Sequence, residues 1–249
     1  MEPYVKQEIQ NGIATIEFFH LEQNSLPSYL LSELAATITN AGINDDVKVI
    51  ILKSGGDRTF CAGASLKELI AINDAQTGEE FFSGFANVIN AMRKCPKFII
   101  GRLQGKAVGG GVGIAAATDY CLATQHAAIK LSELKIGIGP FVVSPAISRK
   151  MGVSALSQIT IDADRFFDAQ WAKEKGLYAN VFESIKVLDE AILALATSLC
   201  SYNPEAMQET KKMFWRGTDD WDTLLAERAT ISGRLVLSDF TKETLKKFK

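Results

Sequence analysis

Histidine is nearly absent from this 249-residue chain, which carries only His20 and His126. Cysteine is scarce as well. Cys61, Cys95, Cys121 and Cys200 are widely scattered and show no metal-type spacing. The chain therefore has no zinc signature, and reduced, mostly buried thiols in a cytosolic compartment account for the cysteines. Neither sign of charge dominates: 27 basic and 29 acidic residues leave a net charge of −2. That balance gives no electrostatic footprint for nucleic acid or an anionic membrane. The lysine-rich run 242–249 reads as a solvated helix end with cations near the negative pole. No apolar run approaches the length of a membrane span, and no basic segment followed by an apolar one opens the chain. The expectation is a cytoplasmic protein with no nucleic-acid or membrane partner.

What stands out instead is glycine, concentrated in two loops. Phe60-Cys61-Ala62-Gly63-Ala64-Ser65 and Gly109-Gly110-Gly111-Val112-Gly113 each follow an apolar strand-like run, 47–53 and 98–103. Each also leads into a helical pattern. A glycine-rich turn at a helix start leaves backbone N–H groups pointing outward, backed by the positive end of the helix dipole. Two such turns converging on one oxygen would stabilise the charge it gains during a reaction.

The remaining pattern is that of an α/β protein with enough chain for a substantial core. Residues 4–10 and 13–19 alternate around Asn11-Gly12, which predicts a hairpin with a primed turn. Pro27 suits the first position of a helix to about residue 41. Helices are predicted over 65–73 and 77–94, the second with Phe81, Phe82 and Phe85 read as core. Strands are predicted at 98–103, 120–124, 128–132 and 178–183, and helices at 109–118 and 168–175, with another beginning over 142–151. From about residue 186 strand signals stop and amphipathic helices follow (187–201, 205–216, 221–237, 240–248). The boundary is placed near 190, with a strand–helix core (1–190) before a helical region (191–249). Trp215, Trp221 and Phe214 predict that this region packs on the core or on another subunit.

Three blocks together resemble the enoyl-CoA hydratase, or crotonase, superfamily: Phe60 to Lys67, Gly109-Gly110-Gly111, and Ser132-Glu133 leading to Gly137 and Pro140. Their order and spacing agree, and the likeness covers essentially the whole chain. The run from Leu131 to Pro145 is similar to the bacterial methylglutaconyl-CoA hydratase branch of leucine breakdown. The resemblance implies a spiral of ββα turns, a C-terminal helical trimerisation region, and a homotrimer or dimer of trimers. It implies an acyl-CoA thioester as substrate, with no further cofactor and no metal. Its oxygen would lie between the N–H groups of Ala64 and Gly110, with coenzyme A cradled around Ala62, Ala64, Ser65, Leu66 and Lys67. Gly113 and Pro140 would adjoin the acyl group.

Hydratases of this superfamily carry two glutamates, whose positions fall here at Gly113 and Glu133. Hydration must deprotonate a water and protonate the α-carbon, so a pair of carboxylates suits it. Here the pair is broken and Glu133 is the candidate acid–base. The same carboxylate would have to act twice, or a distal substrate carboxylate would assist. Alternatively no water is added, since one carboxylate suffices for a Δ3,Δ2-enoyl-CoA isomerase. Decarboxylation and acyl-CoA binding without turnover are further readings. Lys106 is placed to reach an acidic acyl tail or nothing at all. Cys61 lacks a histidine partner and is not expected to be a nucleophile, and Asp119 is read as a buried structural acid. Gly111-Val112-Gly113-Ile114-Ala115-Ala116 fits a dinucleotide fingerprint, but Gly105–Val108 separates it from the strand and the helix is short.

Overall fold

The structure is a computed structural model describing residues 2–248; Lys249, the end of the lysine-rich run, lies outside them. Strands β1 (Tyr4–Gln10) and β2 (Ile13–Phe19) pair antiparallel. Asn11 and Gly12 between them have φ of 52° and 81°, the left-handed pair a primed turn needs. Alternation along β2 buries Ala14, Ile16 and Phe18. Helix α1 (Ser28–Ile43) starts one residue later than expected, with Pro27 as its cap. It buries Leu30, Leu31, Leu34 and Ile38.

The ββα unit then repeats. Strands β3 (Val49–Ser54) and β4 (Thr59–Cys61) lead to α2 (Leu66–Ala71) and α3 (Ala75–Lys94). Strands β5 (Phe98–Leu103) and β6 (Lys106–Val108) lead to α4 (Gly110–Ala117). Strands β7 (Tyr120–Thr124) and β8 (Ile129–Lys130) lead to a 3₁₀ turn, Glu133–Ile136, and α5 (Ser144–Ile161). Both hairpin strands, the first strand of each later unit and β9 (Asn180–Phe182) form a six-stranded sheet in the order β1-β2-β3-β5-β7-β9. The second strands form a separate parallel sheet, β4-β6-β8. This is the crotonase spiral that the resemblance implied.

The small sheet is what positions the site. Residues 59–61 and 106–108 give no strand signal in the sequence, because three residues carry no readable periodicity. They exist through pairing with each other, Thr59 beside Lys106 and Cys61 beside Ala107. Each ends where a loop of interest begins: β4 at Ala62, β6 at Gly109, β8 just before Ser132. Helix α5 begins at Ser144, two residues after the expected start, and continues through a break at Gly152 to Ile161.

After α6 (Ala169–Glu174), helix α7 (Ile185–Cys200) contains the boundary placed near residue 190. Its Leu188, Ile192 and Ala196 cover the outer face of the large sheet, against Val49, Ile51 and Ile100. Helix α8 (Pro204–Phe214) is followed by Trp215, which with Trp221 joins the main core. Helix α9 (Trp221–Leu235) crosses α3 at a glycine pair: a Cβ on Gly78 would lie 2.9 Å from the Gly233 Cα. Helix α10 (Asp239–Leu245) then returns toward the 3₁₀ turn, contributing Leu245 to a cluster with Leu69, Phe81 and Ile138. Among the described residues no helix is long and apolar enough to cross a membrane.

Candidate active site

The two glycine loops pack directly on one another. A Cβ on Gly63 would lie 3.1 Å from the Val108 carbonyl oxygen and 3.7 Å from the Gly110 nitrogen. Gly109 has φ of 54° and ψ of −118°, a backbone conformation that excludes side chains, and so α4 can begin abruptly at Gly110. The Ala64 and Gly110 N–H groups take part in no hydrogen bond among the described residues. Both residues line a cavity of about 300 Å³.

Glu133 enters the same cavity from the 3₁₀ turn that follows β8. The turn is closed by Gly137 in the left-handed region at φ 83°. The Glu133 Oε1 atom lies 3.0 Å from where a Gly109 Cβ would stand, so the carboxylate sits over the second loop. Its Oε2 atom is wholly buried and hydrogen-bonds to nothing. Burial therefore pushes the carboxyl up from 4.5 to about 7, although the backbone N–H groups of Glu133 and Ser132 pull the other way. A carboxyl near neutrality can accept and return a proton at ordinary pH. The dependence of kcat/KM on pH is expected to rise with unit slope and level off near pH 7 if Glu133 works as a base.

Of the residues expected at the site, Ala62, Ala64, Leu66, Gly110, Glu133 and Pro140 line the cavity. Ser65, Lys67 and Gly113 are not on its wall. Ser65 is buried and caps α2, accepting the Glu68 N–H at 3.3 Å. Lys67 is exposed on α2. Lys106 points away, its Nζ 4.7 Å from the centre of the Phe166 ring. Cys61 is buried with its thiol pushed up to about 12, in keeping with an inert side chain. Asp119 is the structural acid expected: it accepts from the Ile99 N–H and the Trp215 indole, each at 2.8 Å.

Several walls of the cavity carry no local signal along the chain. The spacing of Phe81, Phe82 and Phe85 reads as core, yet they line the cavity as well as being packed. Their helical spacing is the same for either role. Ser232 arrives from α9, a contact with no local signal.

Residues 8–248 match the enoyl-CoA hydratase/isomerase family. The chain belongs to that family. Mouse methylglutaconyl-CoA hydratase is 31% identical over 201 residues, which is 79% of this chain and 63% of that protein. The chain thus matches less than two thirds of that relative's length. A peroxisomal Delta(3,5)-Delta(2,4)-dienoyl-CoA isomerase from Arabidopsis thaliana is 28% identical, covering 98% of this chain and 94% of that one. The fold is shared with an enoyl-CoA hydratase from Bacillus halodurans, at a TM-score of 0.91 and 22% identity over 98% and 99% of the two chains.

Gly113 has a local reason to be glycine in this chain. It is buried in α4, and a Cβ there would stand 2.4 Å from Val143 Cγ1. Val143 thus fills the space a side chain at 113 would need. Gly113→Ala is expected to cost about 1–3 kcal/mol through overpacking and to lower the melting temperature by several degrees. Adding Val143→Ala should restore most of the loss. Thermal unfolding of the single and double variants checks this, and an unchanged Gly113→Ala would show that the contact yields freely.

Proposed function

We propose that the cavity binds an enoyl-CoA thioester, whose carbonyl oxygen accepts from the Ala64 and Gly110 N–H groups while Glu133 moves protons. The observation that carries this reading is the buried, unpartnered Glu133 Oε2 in the same cavity as two unengaged backbone donors. Removing a proton beside a thioester puts negative charge on the carbonyl oxygen as the enolate forms. Preorganised N–H donors stabilise that charge without reorganisation, an effect worth about 3 kcal/mol per donor. Coenzyme A runs past Ala62, Ala64 and Leu66, with exposed Lys67 available to its phosphates. No further cofactor is required.

Migration of the double bond is the reaction a lone carboxylate completes unaided. Glu133 takes a proton from one carbon, the oxygen holds the enolate charge, and the same proton returns to another carbon. Val143 supports this reading, since it occupies the space where a second acid–base group would need to stand. Hydration is the second reading, favoured by the likeness to methylglutaconyl-CoA hydratase and by the 131–145 run. There Glu133 would deprotonate a water and then protonate the α-carbon.

Incubation with 3-enoyl- and 2-enoyl-CoA thioesters, followed by mass and by absorbance of the conjugated thioester, separates the two. Conversion of the 3-enoyl ester without mass change supports isomerisation. A gain of one water supports hydration. Inertness toward both would leave a binding site without turnover. The assembly proposed is a homotrimer or a dimer of trimers. A cytoplasmic location is supported by the scattered free cysteines.

A further inference from the structure

Resting on the acyl-CoA reading above, we infer that the acyl group this cavity accepts is a neutral hydrocarbon chain, and that acyl groups ending in a carboxylate are rejected. The wall that meets the acyl group is built from Phe81, Phe82, Phe85, Ile138, Val142 and Val143. Among the described residues no lysine, arginine or histidine lines the cavity. Its polar side chains are Ser132, Ser232 and Glu133 alone, and the Ser232 hydroxyl is already donating to the Arg228 carbonyl.

The lysines nearest in sequence to the site loops are engaged elsewhere or face solvent. Lys106 sits over the Phe166 ring, and Lys130 shares that ring at 5.1 Å from its centre. Lys130 also donates to the Asp164 carbonyl, and Lys135 is paired with the Asp164 carboxylate. Lys67 stands exposed on α2. A carboxylate carried into the cavity would lose its water and meet no cation there, with the Ser132 hydroxyl as the one side-chain donor not already engaged among the described residues. It would also share the enclosure with Glu133, so two like charges would oppose one another. A methyl-terminated chain of the same length meets only apolar surface. The substrate class is therefore neutral enoyl thioesters, which sets this chain apart from the methylglutaconyl group named for its mouse relative.

The test uses a pair of saturated thioesters that cannot turn over and differ only at the far end: pentanoyl-CoA and glutaryl-CoA. Binding of each to the assembled wild-type protein is measured by calorimetry, with free coenzyme A as reference. Pentanoyl-CoA is expected to bind at least about 10²-fold more tightly than glutaryl-CoA. Equal or tighter binding of glutaryl-CoA would overturn the inference while leaving the acyl-CoA site in place. Failure of both thioesters and of free coenzyme A to bind would overturn the site reading, and this inference with it.

Discussion

Glu133→Gln is expected to lower turnover of an enoyl thioester by about 10²-fold or more, the usual scale for a general acid–base group. The amide keeps the size and much of the polarity of the carboxyl but cannot carry a proton between carbons. Affinity for a saturated acyl-CoA should change little, because in the proposed complex binding rests on the apolar walls and the Ala64 and Gly110 N–H groups. Near-wild-type turnover would remove Glu133 from the mechanism.

The same variant has a second readout that does not depend on knowing the substrate. The folded protein holds Glu133 near 7, against 4.5 for an ordinary glutamate. Between those values the folded state keeps a proton that the unfolded chain has released. Stability therefore falls as pH rises through this window and stays lower above it. A rise of that size corresponds to about 3 kcal/mol. Glu133→Gln should abolish the fall, so the variant should melt several degrees above wild type at pH 8 and close to it at pH 4. A carboxylate already satisfied by water or solvent would show no such difference.

Lys211→Ala is the substitution expected to damage the fold most. Lys211 and Asp119 form an ion pair at 2.8 Å with both side chains only 3% exposed. Lys211 also donates to the Lys97 carbonyl at 2.7 Å. Its removal strands the Asp119 charge in the interior, leaving only the Ile99 N–H and the Trp215 indole as partners. Breaking a buried pair in this way costs about 3–5 kcal/mol. Because the pair ties α8 to the residue just before β7, the loss should also loosen the C-terminal helices. The neighbouring Lys212–Glu209 pair is more than half exposed at both side chains, and Lys212→Ala should cost under about 1 kcal/mol. Urea unfolding of the two variants side by side measures the contrast. Equal losses would show that burial does not govern the Lys211 pair.

Much of the architecture could be read from local pattern. The 4–10 and 13–19 alternation became β1 and β2 within a residue, because the Asn11-Gly12 turn fixes register and the alternation fixes the buried face. Strand 98–103 and strand 120–124 were bounded correctly by Pro96 and by the polar residues around Asp119. Helix starts followed capping residues: Ser65, Asp74, Asp168 and Ser184 each accept an N–H of the first turn. What escaped were elements made by partners distant in sequence. Strands β4 and β6 are too short to announce themselves and form only because the spiral lays them side by side. The passage of α5 through Gly152 was likewise unreadable, since a glycine there marks an end as readily as a break.

At the site the division is the same. The sequence by itself determined which groups are present: two glycine-rich loops with backbone donors, one glutamate in register with them, and no carboxyl at position 113. Only the tertiary structure decided what those groups experience. It buried Glu133 Oε2 without a partner, turned the phenylalanines of α3 into a cavity wall, filled the space beside Gly113 with Val143, and kept every described lysine off the cavity wall. Those outcomes depend on which distant surfaces meet, and the depth of desolvation around a carboxylate is a property of the packed interior, not of its neighbours along the chain.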